Sequence, residues 1–233
     1  MPADPEVALL GNSDRLEEIA TLEIAAVVES RSIPLVRLII GSTGAKKPDR
    51  PQQRRNGARL LEHLLAISYP GRAGAWYLSH RASGAPFLER GDDSDPCLDV
   101  SASHAGQWAA AALSTAAAVG VDIEQERPGR DTAKLAEFMG WKPRADTYAD
   151  FYRRWTMWEA YTKSRKGRLF SPAGPEFEGL YAASAGGGNG KPGTWHGFYL
   201  QVAEDVHAAL VVRTMKPAVT AVHVLDGKQA RPW

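Results

Sequence analysis

Ala118-Val119-Gly120-Val121-Asp122-Ile123-Glu124 is the stretch on which the fold turns. Branched apolar residues alternate with acids, the pattern of a strand. Side chains two apart on a strand share a face, so Asp122 and Glu124 project together while Val121 and Ile123 enter the core. Downstream, Trp155-Thr156-Met157-Trp158-Glu159-Ala160-Tyr161-Thr162-Lys163 has helical character. Residues four apart on a helix share a face, which pairs Glu159 with Lys163. A strand laid beside that helix gathers three carboxylates and an ammonium. That is an all-oxygen site for a hard cation such as Mg2+, with positions open for phosphate oxygens. Each half also has a plainer reading. Asp122 and Glu124 could be solvated acids where a strand enters a polar loop, and Glu159 with Lys163 an exposed helix pair contributing about 0.3–0.5 kcal/mol.

Outward from these elements, Pro34 to Ile40 and Ala75 to Ser79 read as strands, and Leu9 to Val28 carries a helix-like pattern. Gly41 to Gln53 is a loop. Arg54 to Ile67 (RRNGARLLEHLLAI) places Leu60, Leu61, Leu64 and Leu65 at helical spacing with arginines on the other side. Ser83 to Leu88 reads as a turn by its Gly and Pro, followed by an acidic loop from Glu89 to Asp95. Leu98 to Ala102 and Trp108 to Leu113 are short strands around a turn at His104-Ala105-Gly106. Arg130 to Met139 and Asp150 to Arg165 predict helices, and His196 to Val202, Val206 to Arg213 and Val219 to Leu225 predict a three-stranded meander. In Ser184 to Gly193 a phosphate loop is excluded because Pro192 follows Lys191, which leaves a flexible hairpin connection. The irregular alternation of strands and helices predicts an α+β fold of mixed α/β layers. A boundary near residue 115 divides an N-terminal lobe, 1–115, from a C-terminal lobe, 116–233.

Composition narrows the function. With 28 basic and 27 acidic residues the net charge is +1, which advertises neither nucleic acid nor an anionic membrane as a partner. No apolar run approaches the roughly 20 residues that span a bilayer, and the start lacks a cationic segment followed by an apolar one. A single cysteine, Cys97, fits a reducing compartment. The expectation is a cytoplasmic protein. Histidines at 63, 80, 104, 196, 207 and 223 form no short-spaced ligand pair, so zinc is not expected.

A third element, Ser101-Ala102-Ser103-His104-Ala105-Gly106-Gln107-Trp108, changes the weight of the other two. Ser-x-Ser-His, then Gly-Val-Asp-Ile-Glu, then Trp-Thr-x-x-Glu-Ala-x-x-Lys, in this order, resembles the surfactin-type 4′-phosphopantetheinyl transferases. The resemblance runs from about the Arg54 helix to at least Phe177, and more loosely over the remaining strands. It implies two similar α/β lobes related by a pseudo-twofold, with coenzyme A and Mg2+ in the cleft between them; no internal duplication is visible in the sequence itself. The implied reaction moves the phosphopantetheine arm of coenzyme A to a serine of an apo acyl or peptidyl carrier protein and releases 3′,5′-ADP. A monomer is implied.

Residue by residue, Asp122, Glu124 and Glu159 fall on the family's metal ligands, and Glu159, or a water it orients, is the candidate base for the carrier serine. Lys163 falls on the pyrophosphate-binding lysine, which completes a catalytic group of Glu159, Lys163 and Asp122. Ser103 and His104 match the pair that holds the 3′-phosphate of coenzyme A, against a plainer turn histidine. Arg54, with Arg55 and Arg59 as neighbours, lies where the family places an arginine-bearing helix near the adenosine phosphates; a solvated helix face is the alternative. Lys46 and Lys47 stand in the region of phosphate-binding lysines, and Lys47 joins the coenzyme A set. Two positions depart from the family pattern, Ala85 and Trp158, where lysines are usual. A basic cluster of Arg153, Arg154, Arg165, Lys166 and Arg168 offers a surface for an acidic carrier helix. The alternative function is a non-catalytic module that binds coenzyme A or a carrier protein.

Overall fold

A computed structural model describes residues 17–28, 31–43, 48–82, 84–93, 97–115, 118–141, 147–167, 174–185, 195–213 and 220–226. These form ten strands and four α-helices: β1 (Glu17–Val28), β2 (Arg31–Ser42), α1 (Arg50–Ser68), β3 (Trp76–His80), β4 (Pro86–Arg90), β5 (Asp99–Ala105), β6 (Trp108–Ser114), β7 (Ala118–Gln125), α2 (Thr132–Phe138), α3 (Tyr148–Ser164), α4 (Pro175–Ala185), β8 (Trp195–Ala203), β9 (Val206–Arg213) and β10 (Thr220–Asp226). The fold is mixed α+β, as the alternation of elements predicts.

The strands form a five-stranded sheet ordered β10-β1-β2-β6-β5, a three-stranded sheet ordered β7-β9-β8, and the separate hairpin β3-β4. Val36, Leu38 and Ile40 of β2 share one core with Val119, Val121 and Ile123 of β7 and with Val206, Ala208, Leu210 and Val212 of β9. The two sheets therefore pack on each other. The opposite face of the five-stranded sheet, through Ile39, Val100 and Leu113, packs on Leu60, Leu61, Leu64 and Leu65 of α1. The opposite face of the three-stranded sheet, through Ala209 and Val211, packs on Phe151, Trp155 and Trp158 of α3 and on Phe177 of α4. Helix, sheet, sheet and helix thus follow in layers. Strands buried on both faces read as nearly continuous apolar runs, as in β9.

Local signals fix the helix starts. The Asp49 side chain accepts from the Gln52 N–H at the head of α1, with Pro51 in its first turn, and Thr147 caps α3 by accepting from the Asp150 N–H.

Four sequence expectations need correction. Residues 17–28 are a strand, not a helix, because β1 has ladder partners on both sides, β2 and β10, and that pairing overrides an ambiguous apolar spacing; residues 9–16 lie outside the described residues. Pro86 begins β4, opposite His80, so the turn is confined to its approach; a proline is tolerated as the first residue of a strand. β5 runs on through His104 and Ala105, and Ala105 pairs with Trp108, which leaves a two-residue loop at Gly106-Gln107 with positive φ at Gly106. The last three strands are not one meander, since β10 leaves β8 and β9 to pair with β1. The helix α4 has no counterpart in the sequence expectations. Among the described residues no helix is long and apolar enough to cross a membrane.

Candidate functional site

The site begins at a seam. β5 and β7 belong to different sheets, yet alternate side chains of β5 bridge to β7. Asp99 Oδ2 accepts from the Val119 N–H at 2.8 Å, Ser101 Oγ accepts from the Val121 N–H at 3.0 Å, and the Ser103 hydroxyl donates to Asp122 Oδ1 at 2.7 Å. Residue numbers rise together on both strands, so the two edges run in the same direction. Side chains two apart share a face, so one face of β5 supplies all three bridges.

α3 lies directly on β7. A Cβ added to Gly120 would come 2.0 Å from the Ala160 carbonyl oxygen and 2.5 Å from the Ser164 nitrogen, so the helix rests where a side chain would stand. This approach delivers Lys163. Its Nζ donates to Asp122 Oδ1 at 2.6 Å and to Ser103 Oγ at 2.9 Å, and lies 4.0 Å from Glu159 Oε2. Three sequence elements thus meet at one ammonium. Asp122 is 2% exposed and Lys163 26%. Two residues past Glu124, Glu126 Oε1 lies 2.8 Å from Nε2 of the buried His207, whose Nδ1 is 2.7 Å from the Tyr199 hydroxyl, and this pins the end of β7.

Burial dominates the electrostatics of the site. Burial, with the charge of Asp122 next, pushes Glu159 up to about 8 and Glu124 up to about 7. For Lys163 burial works against the ammonium, but Asp122 and Glu159 outweigh it and its pKa ends above the ordinary lysine value. Lys163 thus faces Asp122 and Glu159, while Arg130 faces Glu124. Asp122 Oδ2 and Glu124 Oε2 are buried without a hydrogen-bond partner, although Arg130 Nη1 stands 3.8 Å from the latter and a protonated Glu159 carboxyl can donate to Asp122. Orphaned carboxylate oxygens at an acidic cluster fit a hard divalent cation, and Mg2+ asks for few carboxylates, the rest of its shell coming from water and phosphate. Among the described residues no group of three His, Cys, Asp or Glu side chains is placed to hold a metal ion, and Asp122 Oδ1 is committed to Lys163 and Ser103.

Ser103 also opens onto a cleft of about 630 Å3 between α1, β5 and the β3-β4 hairpin. Arg54 and Arg55 line it from α1, His80 and Arg81 from the hairpin, and His104 from β5. Every ionisable group named on this wall is basic. Partial desolvation, with the nearby Lys163 ammonium next, lowers the His104 pKa, which leaves the imidazole more neutral than usual until an anion arrives. Arg55 already donates to Gln52 Oε1, and Arg81 stacks over the Phe87 ring at 4.9 Å. Lys46 and Lys47 lie outside the described residues.

No protein-family model matches this chain, and no curated protein matches it. The residues themselves carry the functional argument. Sequence reasoning expects Asp122, Glu124, Glu159 and Lys163 at one place, where the structure has them. It pairs Ser103 with His104 at the phosphate, whereas the structure turns the Ser103 hydroxyl to Asp122 and Lys163 and leaves His104 on the cleft wall with Arg54 and Arg55. It misses Asp99 and Ser101, although Asp-x-Ser-x-Ser on a strand is a signal for one polar face. It also misses Arg81, and Arg130, whose Nη1 lies 3.8 Å from Glu124 Oε2 and whose guanidinium sits 4.9 Å over the Trp155 ring.

Much of the basic cluster on α3 is engaged within the chain, Arg153 lying over the Tyr199 ring at 5.1 Å, while Arg165 keeps 53% of its side chain exposed. Arg154 is buried and bonds Glu178 at 2.6 Å, Arg165 bonds the Tyr161 hydroxyl and pairs with Glu176, and Lys166 pairs with Asp99 at 2.7 Å. Arg168 lies outside the described residues. Trp158 is fully buried in the aromatic core beside Trp155, so it serves packing.

Proposed function

We propose that the chain is a Mg2+-dependent 4′-phosphopantetheinyl transferase of the surfactin type, acting on coenzyme A and an apo acyl or peptidyl carrier protein. The observation that carries this reading is the convergence of its three sequence motifs on Lys163, which bonds both Ser103 and Asp122 beside Glu159. The basic cleft that adjoins Ser103 supports it, since the nucleotide half of coenzyme A is rich in phosphate. The two-lobe arrangement with a site between the lobes belongs to the same reading, supported by the helix-on-sheet layers on either side of the β5/β7 seam. A cytoplasmic monomer is its natural setting.

Asp122, Glu124 and Glu159 would have to close together beyond their present spacing to hold Mg2+, which when bound supplies Lewis-acid stabilisation of the pyrophosphate. Glu159 takes the proton of the carrier serine, directly or through a water, because a neutral hydroxyl is a poor nucleophile. The serine oxygen attacks the phosphorus that bears the pantetheine arm, and the bond from that phosphorus to the bridging oxygen breaks. Lys163 stabilises the charge that develops on the departing 3′,5′-ADP. His104, Arg54, Arg55 and Arg81 orient the nucleotide from the cleft wall. Ala85 offers no cation there, and Arg81 on the same hairpin supplies one.

Intact-protein mass spectrometry of an apo carrier after incubation with this protein, coenzyme A and Mg2+ tests the reading. The expected result is a gain of one phosphopantetheinyl group, absent with EDTA. No gain across several carriers, from a protein that still binds coenzyme A, would replace the transferase by a binding module.

A further inference from the structure

Among the described residues Lys166 is the only one other than glycine with positive φ, at 54°. It stands just past the end of α3, where the Lys166 N–H bonds the Lys163 carbonyl and the Gly167 N–H bonds the Thr162 carbonyl at 3.0 Å. This is a Schellman helix end, whose left-handed position ordinarily takes glycine. Here glycine comes one residue later and a lysine holds the strained place. Strain of this kind persists where surrounding contacts impose it, and it invites a search for what the side chain does.

The side chain reaches Asp99. Lys166 Nζ lies 2.7 Å from Asp99 Oδ1, while Asp99 Oδ2 accepts the Val119 N–H at 2.8 Å. One carboxylate therefore ties three elements: β5 on which it stands, β7 through Val119, and the end of α3 through Lys166. Three residues earlier on α3, Lys163 makes a second tie across the same seam, to Ser103 of β5 and Asp122 of β7. Lys163 and Lys166 are two rungs of one clamp. The helix is also seated on Gly120, between the rungs' partners on β7. A shift of its last turn would move the Lys163 ammonium relative to Asp122.

We propose that Lys166 and Asp99 are positioning residues, a latch that closes the β5/β7 seam under the end of α3 and thereby sets the Lys163 ammonium at the reacting phosphate. The consequence for transfer rests on the transferase reading; the latch itself does not. Neither residue touches substrate in this scheme, and the ordinary lysine place at a helix end would be exposed solvent with α-helical φ.

Lys166→Gly separates latch from fold, because glycine suits φ 54° and should leave the melting temperature equal or higher. Three readouts are taken on the full chain: melting temperature, hydrogen exchange at the Val119 amide, and kcat/KM for coenzyme A in carrier modification. The latch requires at least tenfold faster Val119 exchange and at least tenfold lower kcat/KM with no loss of melting temperature, and Lys166→Arg should restore both. Asp99→Asn, which keeps an acceptor for Val119 and removes the charge, should behave as Lys166→Gly and stands in for it if that variant fails to fold. Unchanged exchange overturns the latch. Faster exchange with unchanged kcat/KM overturns the positioning of Lys163. If the unaltered protein shows no transfer, the transferase reading fails, and exchange at Val119 alone decides whether the latch exists.

Discussion

The Ala160 carbonyl oxygen stands 2.0 Å from where a Cβ on Gly120 would be, so α3 and β7 touch backbone to backbone. Both neighbours in that contact are main-chain atoms, which cannot rotate aside. Gly120→Ala must lift the helix. Overpacking of a filled core costs about 1–3 kcal/mol, and here the displacement also withdraws Lys163 from Asp122. Urea denaturation should show the loss of stability, and carrier modification should fall more than the residual folded fraction explains. A variant as stable and active as the unaltered protein would show that α3 does not rest on Gly120.

Asp122 and Glu159 should part company when neutralised. Asp122 is 2% exposed and bonds Lys163 at 2.6 Å, so Asp122→Ala leaves a largely buried ammonium without its main partner. Breaking a buried pair costs about 3–5 kcal/mol, and the 26% exposure of Lys163 discounts that toward 2–3. Glu159 already tends to hold a proton, so Glu159→Gln resembles its resting form and should leave stability equal or raised. Both changes should abolish transfer. Chemical denaturation beside the mass-spectrometric assay checks the pair; a Glu159→Gln protein with normal turnover would remove Glu159 from the chemistry.

Stability of the metal-free protein should fall as pH rises toward 8. Glu124 and Glu159 have folded-state pKa values of about 7 and about 8 against an ordinary 4.5. Between those limits the folded chain binds more protons than the unfolded one, so the free energy of unfolding declines with pH. Lys163, raised above the ordinary lysine value, stays charged throughout and adds no slope. Mg2+ reverses the trend because it binds the ionised carboxylates and protons compete with it. Thermal melts at pH 6 and 8, with and without Mg2+, should show the larger Mg2+-induced rise at pH 8. A larger rise at pH 6 would remove Glu124 and Glu159 from the metal set.

The site was more legible than the architecture that holds it. The alternation in β7 and the four-residue spacing in α3 are local, and local patterns survive in a sequence. β1 was not legible because its identity depends on β2 and β10, far apart in the chain, which pair with it on either side. The Asp99 and Ser101 bridges depend on two sheets meeting edge to edge, a fact no single strand records. Arg154 reads as available to a partner because the acid that binds it, Glu178, lies on α4, a helix the pattern did not reveal. Charge read along one helix says little until the neighbouring helix is known.

Arg81 offers the sharpest test of the cleft. It is exposed, it lines the same wall as Arg54 and His104, and its guanidinium lies 4.9 Å over the Phe87 ring, which orients it. A cation at such a place acts mainly on anionic ligands. Arg81→Ala should weaken coenzyme A binding several-fold, and Arg81→Glu more, with melting temperature nearly unchanged, since surface charge changes of this kind rarely cost much stability. Binding should weaken with added salt in the unaltered protein and less steeply in Arg81→Ala, because one screened contact is gone. Isothermal titration with coenzyme A, and with its analogue lacking the 3′-phosphate, locates the contact. If Arg81→Ala loses affinity for the first and not for the second, the guanidinium meets the 3′-phosphate. Equal losses would place it on the pyrophosphate, nearer Lys163, and no loss for either would take Arg81 out of the site.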